Sequence, residues 1–156
     1  MAAQLALTAG ILSVDKPKID MIGMSAAKHF SQYSEDPSTK VGAAILRPDG
    51  TLASIGWNGL PRRVKAGNLN DREWKYPRMV HAELNAVLNA REPLKGYTLY
   101  VYPLHPCSLC GGAIIQAGIQ RVVAVRGGEW GSSDIALEMF GQATICFDEM
   151  EMGERQ

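Results

Sequence analysis

The chain has 156 residues, 46% of them apolar and 21% charged, the balance of an ordinary soluble globular protein long enough to bury one core. Lys plus Arg and Asp plus Glu both number 16, so no global field favours nucleic acid or membrane, although a small anion needs only a local patch. Three cysteines do not make a secreted disulfide framework; two of them lie in "CSLC", a spacing that suits a metal or a redox pair.

The opening run "MAAQLALTAGILSV" is apolar but has no basic residue before Lys16. It therefore reads as an N-terminal arm over residues 1–18, packed on this chain or a neighbour, and not as a signal peptide. No uncharged run is long enough to span a bilayer, so the expected location is cytoplasmic. Ile19 to Tyr33 places Ile22, Ala26, Phe30 and Tyr33 at helical spacing, and "SEDPSTK" breaks that helix. "VGAAILRPDGTLASIGW" predicts two strands around an Asp-Gly turn. Asn58 to Arg78 is a long loop with several basic residues, of a length that usually carries function. A helix follows from about His81 to Asn89, with Leu84 and Leu88 on one face.

"YTLYVYP" predicts a strand, Cys107 to Ala117 a helix, and "QRVVAVRG" an apolar strand of the buried parallel kind. "SSDIALEMFG" has a serine cap, a helical pattern and a terminal glycine, and "ATICF" predicts the last strand. Helices alternate with strands after an opening hairpin. The expected fold is α/β, a three-layer sandwich with a five-stranded mixed sheet, forming a single domain over residues 19–156. There is no internal repeat, low-complexity tract or linker.

Cys107 and Cys110, at i and i+3, present both thiols from one side of a first helical turn. The partial positive charge of that helix end favours thiolate. A strand–CxxC–helix element alone fits a thioredoxin-like redox site as well as half of a zinc site. His81 decides between them, because it also opens a helix, and two helix starts can meet at one edge of a sheet. One imidazole and two thiolates supply three of zinc's four tetrahedral positions, and a fourth left to water marks a catalytic site. Glu83 would then accept and pass on protons beside it.

His81-Ala82-Glu83 with Pro106-Cys107-Ser108-Leu109-Cys110 is the H-x-E…P-C-x-x-C pattern of zinc-dependent nucleobase deaminases. Together with "STKVGAAI", "GWNGLPR", "KYPRMVHAELNAVLNA" and "LYVYPLHPCSLCGGAIIQAGIQRVV", it makes Ile19 to Val125 resemble the deoxycytidylate (dCMP) deaminase family. The resemblance implies a cytidine-deaminase-like fold and an enzyme, a hydrolase of pyrimidine nucleotide metabolism. It implies zinc bound by His81, Cys107 and Cys110, and Glu83 as the proton shuttle. A zinc-activated hydroxide attacks C4 of cytosine, converting dCMP to dUMP and ammonia. The Ala82 N–H would hold the base carbonyl, Asn58 would meet the sugar hydroxyl, and Trp130 would lie near the substrate. Ser34, Lys40 or a backbone nest in "SEDPSTK" would meet the 5′-phosphate.

The family is typically oligomeric, often hexameric, with dCTP as activator and dTTP as inhibitor. Its effector element corresponds to Gly56-Trp57-Asn58-Gly59, where tryptophan replaces the usual tyrosine and loses a phenol. Arg62, Arg63 and Lys65 would meet a triphosphate, with Mg²⁺ sharing its charge. One short loop would then couple substrate and effector through Asn58 and Gly59. Some relatives hold a second, structural zinc with Cys and His from the loop before the HAE motif. Asn58 to Val80 contains neither, so one zinc per chain is expected, with no nucleic-acid or membrane partner.

Plainer roles compete. His29 reads as a partly exposed helix residue, His105 as a loop residue at the site mouth, and Cys146 as a small buried apolar residue. The Arg62-Arg63-Lys65 cluster also fits a solvated loop face, and Met139, Met150 and Met152 fit packing. Rival functions are a thiol–disulfide oxidoreductase, which leaves "HAE" without a role, and a structural zinc module, for which only His105 is at hand as a fourth ligand. Within the deaminases, the alternatives are dCTP as substrate and tRNA adenosine, the latter disfavoured by the balanced charge.

Overall fold

The computed structural model describes residues 15–153. Its elements are α1 (Lys16–Ser31), β1 (Gly42–Leu46), β2 (Leu52–Trp57), α2 (Arg72–Lys75), α3 (Ala82–Asn89), β3 (Thr98–Tyr102), α4 (Ser108–Gln116), β4 (Arg121–Val125), α5 (Ser133–Gln142) and β5 (Cys146–Met150). The expected arm lies outside the described residues up to position 14. Lys16, Pro17 and Lys18 belong instead to α1, because Asp15 caps its first turn by accepting from the Lys18 N–H and Pro17 suits a first helical position. Among the described residues no helix is long and apolar enough to cross a membrane.

The five strands form one sheet in the order β2-β1-β3-β4-β5. β1 runs antiparallel to both its neighbours, while β3, β4 and β5 are parallel. The hairpin between β1 and β2 closes at Asp49-Gly50. Gly50 takes φ +86°, a left-handed turn conformation that glycine adopts freely, and the Asp49 carboxylate accepts from the Thr51 N–H.

Side chains alternate across the central strands with period two. Ala44, Leu46, Tyr100 and Val123 face α1, which supplies Met24 and Ala27. Ala43, Ile45, Leu99, Val101, Val122 and Ala124 face the other three long helices, which supply Ala82, Ala86, Ile114, Ala136 and Phe140. Burying side chains such as Ile114 and Phe140 contributes roughly 1.5–3 kcal/mol each. The sequence places Leu84 and Leu88 on one face of this helix, but Leu88 is exposed and the packed face is Ala82 and Ala86. Small residues let the helix lie close on β2. A Cβ at Gly56 would come within 2.4 Å of Ala82 O and Ala86 N, so only glycine fits beneath α3.

α3 also serves the sheet edge. The Asn85 and Asn89 side-chain amides donate to the carbonyls of Trp57 and Ile55. On the other side of the sheet, Arg121 of β4 pairs with Asp20 of α1 and Asp148 of β5. Burial alone would raise the Asp20 carboxyl, but its hydrogen bonds from Arg121 and Tyr100 outweigh that and hold it below the ordinary carboxylate value.

Three expectations change at the C-terminal side. The last strand begins at Cys146, three residues later than "ATICF" implies, because α5 runs to Gln142 and Thr144 turns the chain with φ +56°. Cys146 is consequently exposed at the start of an edge strand, facing Asp148 at 3.6 Å, and not a buried core residue. Ser132 stands at the N-cap of α5 without capping it. Its Oγ accepts from Ser108 N at 2.9 Å and so satisfies the start of α4.

Candidate active site and metal centre

The antiparallel register aligns Gly42 with both Trp57 and Tyr102, so Val41, Asn58 and the chain leaving β3 all emerge at the same end of the sheet. That end carries the starts of α3 and α4, whose first N–H groups have no intrahelical partner. His81 and Cys107 are the N-cap residues, both extended, and neither side chain caps its helix. Their side chains are thereby free to turn toward each other.

His81 Nδ1 lies 3.4 Å from Cys107 Sγ and 3.4 Å from Cys110 Sγ. A tetrahedral zinc with ordinary Zn–N and Zn–S bonds requires an N···S edge of about 3.6 Å. The donor set and its spacing therefore fit zinc, with one position left over. The three expected ligands are brought together, and the two thiols are driven apart in acidity: the Cys110 thiol is pushed up, chiefly by its hydrogen bond with Cys107 and then by burial, while Cys107 carries the thiolate character. The Cys110 hydrogen bond, followed by that of His81, pulls the Cys107 thiol down to about 4, against the opposing effect of burial. The His81 imidazole is shifted up, chiefly by its hydrogen bond with Cys107.

Glu83 sits in the first turn of α3, 4% exposed. Burial pushes its carboxyl up to about 7, only partly offset by its own backbone N–H and by His81. A carboxyl poised there can take and return a proton at neutral pH. His81, Ala82, Glu83, Leu104 and Trp130 line a cavity of about 270 Å³, close to the smallest of ordinary small-molecule pockets. The Trp130 indole N–H donates to His105 O at 2.7 Å, and its ring centroid is 5.9 Å from that of His81.

His105 is not at the mouth. It is buried, its Nε2 2.9 Å from Val125 O and 3.3 Å from the Glu149 carboxylate, with its ring edge-on to Phe147. The backbone bond from His105 N to Gly128 O ties the residue to the loop after β4, and its ring groups with Glu129 and Glu149 and not with His81, Cys107 and Cys110.

The opposite wall consists of loops. Asn58 lines the cavity, but its Oδ1 accepts from Val41 N and its Nδ2 donates to Thr39 O, leaving one N–H and one lone pair for a ligand. Ser34 and Lys40 do not line the cavity. The Ser34 Oγ is committed between Asn58 O and Asp36 N, and the exposed Lys40 ammonium donates to Ser34 O. Ser38, Thr39, Arg72 and Tyr76 line it instead, beside Asp36 and Lys75. The sequence marks Arg72 and Tyr76 only as part of a long basic loop, with no spacing signal that singles out α2 inside it, whereas Ser38 and Thr39 lie in the "SEDPSTK" stretch expected to meet the phosphate.

Apart from Asn58, the expected effector residues do not line this cavity. Gly56 is a packing glycine. Trp57 and Arg62 line a separate groove with Leu52, Asn89 and Arg91, and Arg62 donates to Asn89 Oδ1. Arg63 and Lys65 are exposed, line neither cavity nor groove, and Arg63 takes φ +68°.

Comparison with known proteins agrees with this geometry. The deoxycytidylate deaminase of Mus musculus is 40% identical over 108 residues, 64% of this chain and 60% of that protein. The chain thus matches less than two thirds of the length of the mammalian relatives. An uncharacterized deaminase of Aliivibrio fischeri is 36% identical over 126 residues, 76% of this chain and 84% of its own. The crystal structure of the dCMP deaminase from cyanophage S-TIM5 in complex with dCMP and dUMP superposes with a TM-score of 0.76 at 29% identity, covering 86% of this chain and 98% of that one. A wobble-position tRNA:A34 deaminase at 20% identity, TM-score 0.51, shares the fold alone. Residues 17–126 match the cytidine and deoxycytidylate deaminase zinc-binding region, and the chain belongs to that family.

Proposed function

We infer that the protein is a zinc-dependent deaminase, one catalytic domain that converts dCMP to dUMP and ammonia. One observation carries the reading: His81, which stands at zinc spacing from Cys107 and Cys110, and the buried Glu83 line the same cavity. Zinc held by His81, Cys107 and Cys110 supplies a Lewis acid that makes water nucleophilic at neutral pH. Glu83 takes the proton that the attacking water gives up and delivers it to N3 of the cytosine ring. It then passes the second proton to the amine at C4, so that ammonia leaves and a 4-keto base remains. The Ala82 N–H, among the unpaired donors at the start of α3, receives the base carbonyl. Asn58 uses its remaining N–H on the sugar, and Trp130 closes the cavity over the base.

The 5′-phosphate falls to Ser38, Thr39, Arg72 and Tyr76 in place of Ser34 and Lys40. Arg72 makes no ion pair among the described residues, which leaves its guanidinium available to an anion. Regulation by dCTP and dTTP, with Mg²⁺ on the triphosphate, and assembly as a homohexamer extend the proposal through family resemblance. The groove containing Trp57, Arg62 and Arg91 is its physical support, an aromatic ring beside two cations.

Deamination by zinc-loaded protein, followed by loss of the cytosine chromophore with dCMP, deoxycytidine, CMP and dCTP, tests the reading. Preferred turnover of dCMP is expected, reduced at least about a hundredfold in Glu83→Gln. Preference for dCTP discards the phosphate assignment, and turnover of an RNA adenosine alone discards the substrate class.

A further inference from the structure

Lys75 has no part in the chemistry above, yet it is only 2% exposed on a helix of one turn. Its ammonium lies 2.9 Å from Asp36 Oδ1 and 3.3 Å from Ser38 Oγ. The same Asp36 oxygen accepts from Ser38 N at 2.8 Å and Thr39 N at 3.3 Å. Thr39 O accepts from the Asn58 amide, Gly59 exchanges two backbone hydrogen bonds with Val80, and Met79 N returns to Lys75 O. These contacts close a ring, Lys75 to Asp36 to Thr39 to Asn58 to Gly59 to Val80 and back along the chain, and the ring borders the cavity.

A buried ion pair is weak as a stabilising device, since an apolar pair of similar volume often serves as well. What it supplies is a fixed geometry. Burial alone would raise the Asp36 carboxyl, but the Lys75 hydrogen bond and the two amides hold it below the ordinary value. The pair is neutral as a unit, so Lys75 offers little net charge to a ligand. Its effect on a ligand passes through Asp36, which fixes the segment carrying the Ser38 and Thr39 hydroxyls.

We propose that Lys75 is a positioning residue that sets the loop wall of the cavity through Asp36 and thereby determines selection of a nucleotide over its nucleoside. This rests on the assignment of the phosphate to Ser38, Thr39, Arg72 and Tyr76. Releasing the pair frees residues 36–39, moves the two hydroxyls and weakens the hold on the phosphate, while the His81, Glu83, Cys107 and Cys110 side keeps its own support.

The experiment compares zinc-loaded wild type, Lys75→Met, Asp36→Asn and the double variant, with kinetics on dCMP and deoxycytidine and amide exchange across residues 34–41. Lys75→Met is expected to raise KM for dCMP about tenfold, with the change in kcat within about twofold. The preference for dCMP over deoxycytidine should fall by the same factor, and exchange at 34–41 should accelerate with metal content kept. The double variant should be no worse than the more affected single variant, because both break one contact. Equal losses on both substrates, multiplying losses in the double variant, or unaltered exchange at 34–41 would overturn the proposal. Should Lys75→Met not fold, Asp36→Asn, which keeps the shape, is held to the same criteria. If wild type shows no preference for dCMP, the substrate reading falls, and Lys75 is judged by exchange alone, with unaltered protection overturning it.

Discussion

The two walls of the cavity are built by different means. One is made of helix starts above a packed sheet: His81 and Glu83, at the N-cap and first turn of α3, line the cavity, and Cys107 and Cys110, at the start of α4, approach His81; the inner faces of both helices are buried against the sheet. The other is made of loop backbone held by side chains, with Ser34, Asp36, Asn58 and Lys75 each bridging segments distant in sequence. Apolar packing fixes the reactive groups, and polar bonds fix the wall that meets the rest of a ligand. Reactive atoms need positions accurate to fractions of an ångström, which rigid elements supply. A selecting wall can be remade by exchanging a few loop residues.

The inner wall should fail most completely at its donor set. Cys110→Ser is expected to lose stoichiometric zinc and to lower activity by more than about a hundredfold, read by metal analysis and turnover on the same sample. Its support comes next. Gly56→Val places a branched side chain where backbone already stands 2.4 Å from a Cβ, which should cost about 3 kcal/mol in urea unfolding. A cost under 1 kcal/mol would mean that α3 does not rest on β2 as described.

The loop wall should show a milder, pH-dependent loss. Asp36 is held below its unfolded value, near 3.9, so its contribution is complete above that value and is lost as pH falls through the lower folded one. Asp36→Asn should cost about 1–2 kcal/mol at pH 7 and at pH 5, after allowance for water at the cavity. The gap to wild type should shrink toward pH 3. A gap that widens on acidification would contradict the assigned pair. Outside both walls, Arg126→Ala breaks an ion pair whose side chains are 63% and 76% exposed, and stability should change by no more than about 0.5 kcal/mol.

The same contrast explains what was legible in the sequence. His81 and Glu83 two residues apart, and Cys107 and Cys110 three apart, are local patterns tied to helix starts, and the two patterns taken together mark where the site lies. The strands and long helices were legible for a similar reason, because period two and period 3.6 are local. Lys75 and Asp36 are 39 residues apart, and nothing in either neighbourhood announces the pair. Ser34 and Lys40 looked available for a ligand because their partners, Asn58 O and Ser34 O, are backbone carbonyls whose direction depends on the fold. His105 and Cys146 were misplaced by one gap in knowledge: where β5 starts and which edge it occupies.

The carbonyls of Ile55 and Trp57 on the outermost strand β2, taken by the amides of Asn89 and Asn85, have a consequence for coexistence with other chains. An open strand edge is a template onto which a foreign strand can add, the first step of runaway aggregation. Here two rungs of that template are already occupied by the helix that carries His81 and Glu83. The helix that organises the reactive wall therefore also shields the sheet from its own neighbours in a crowded solution.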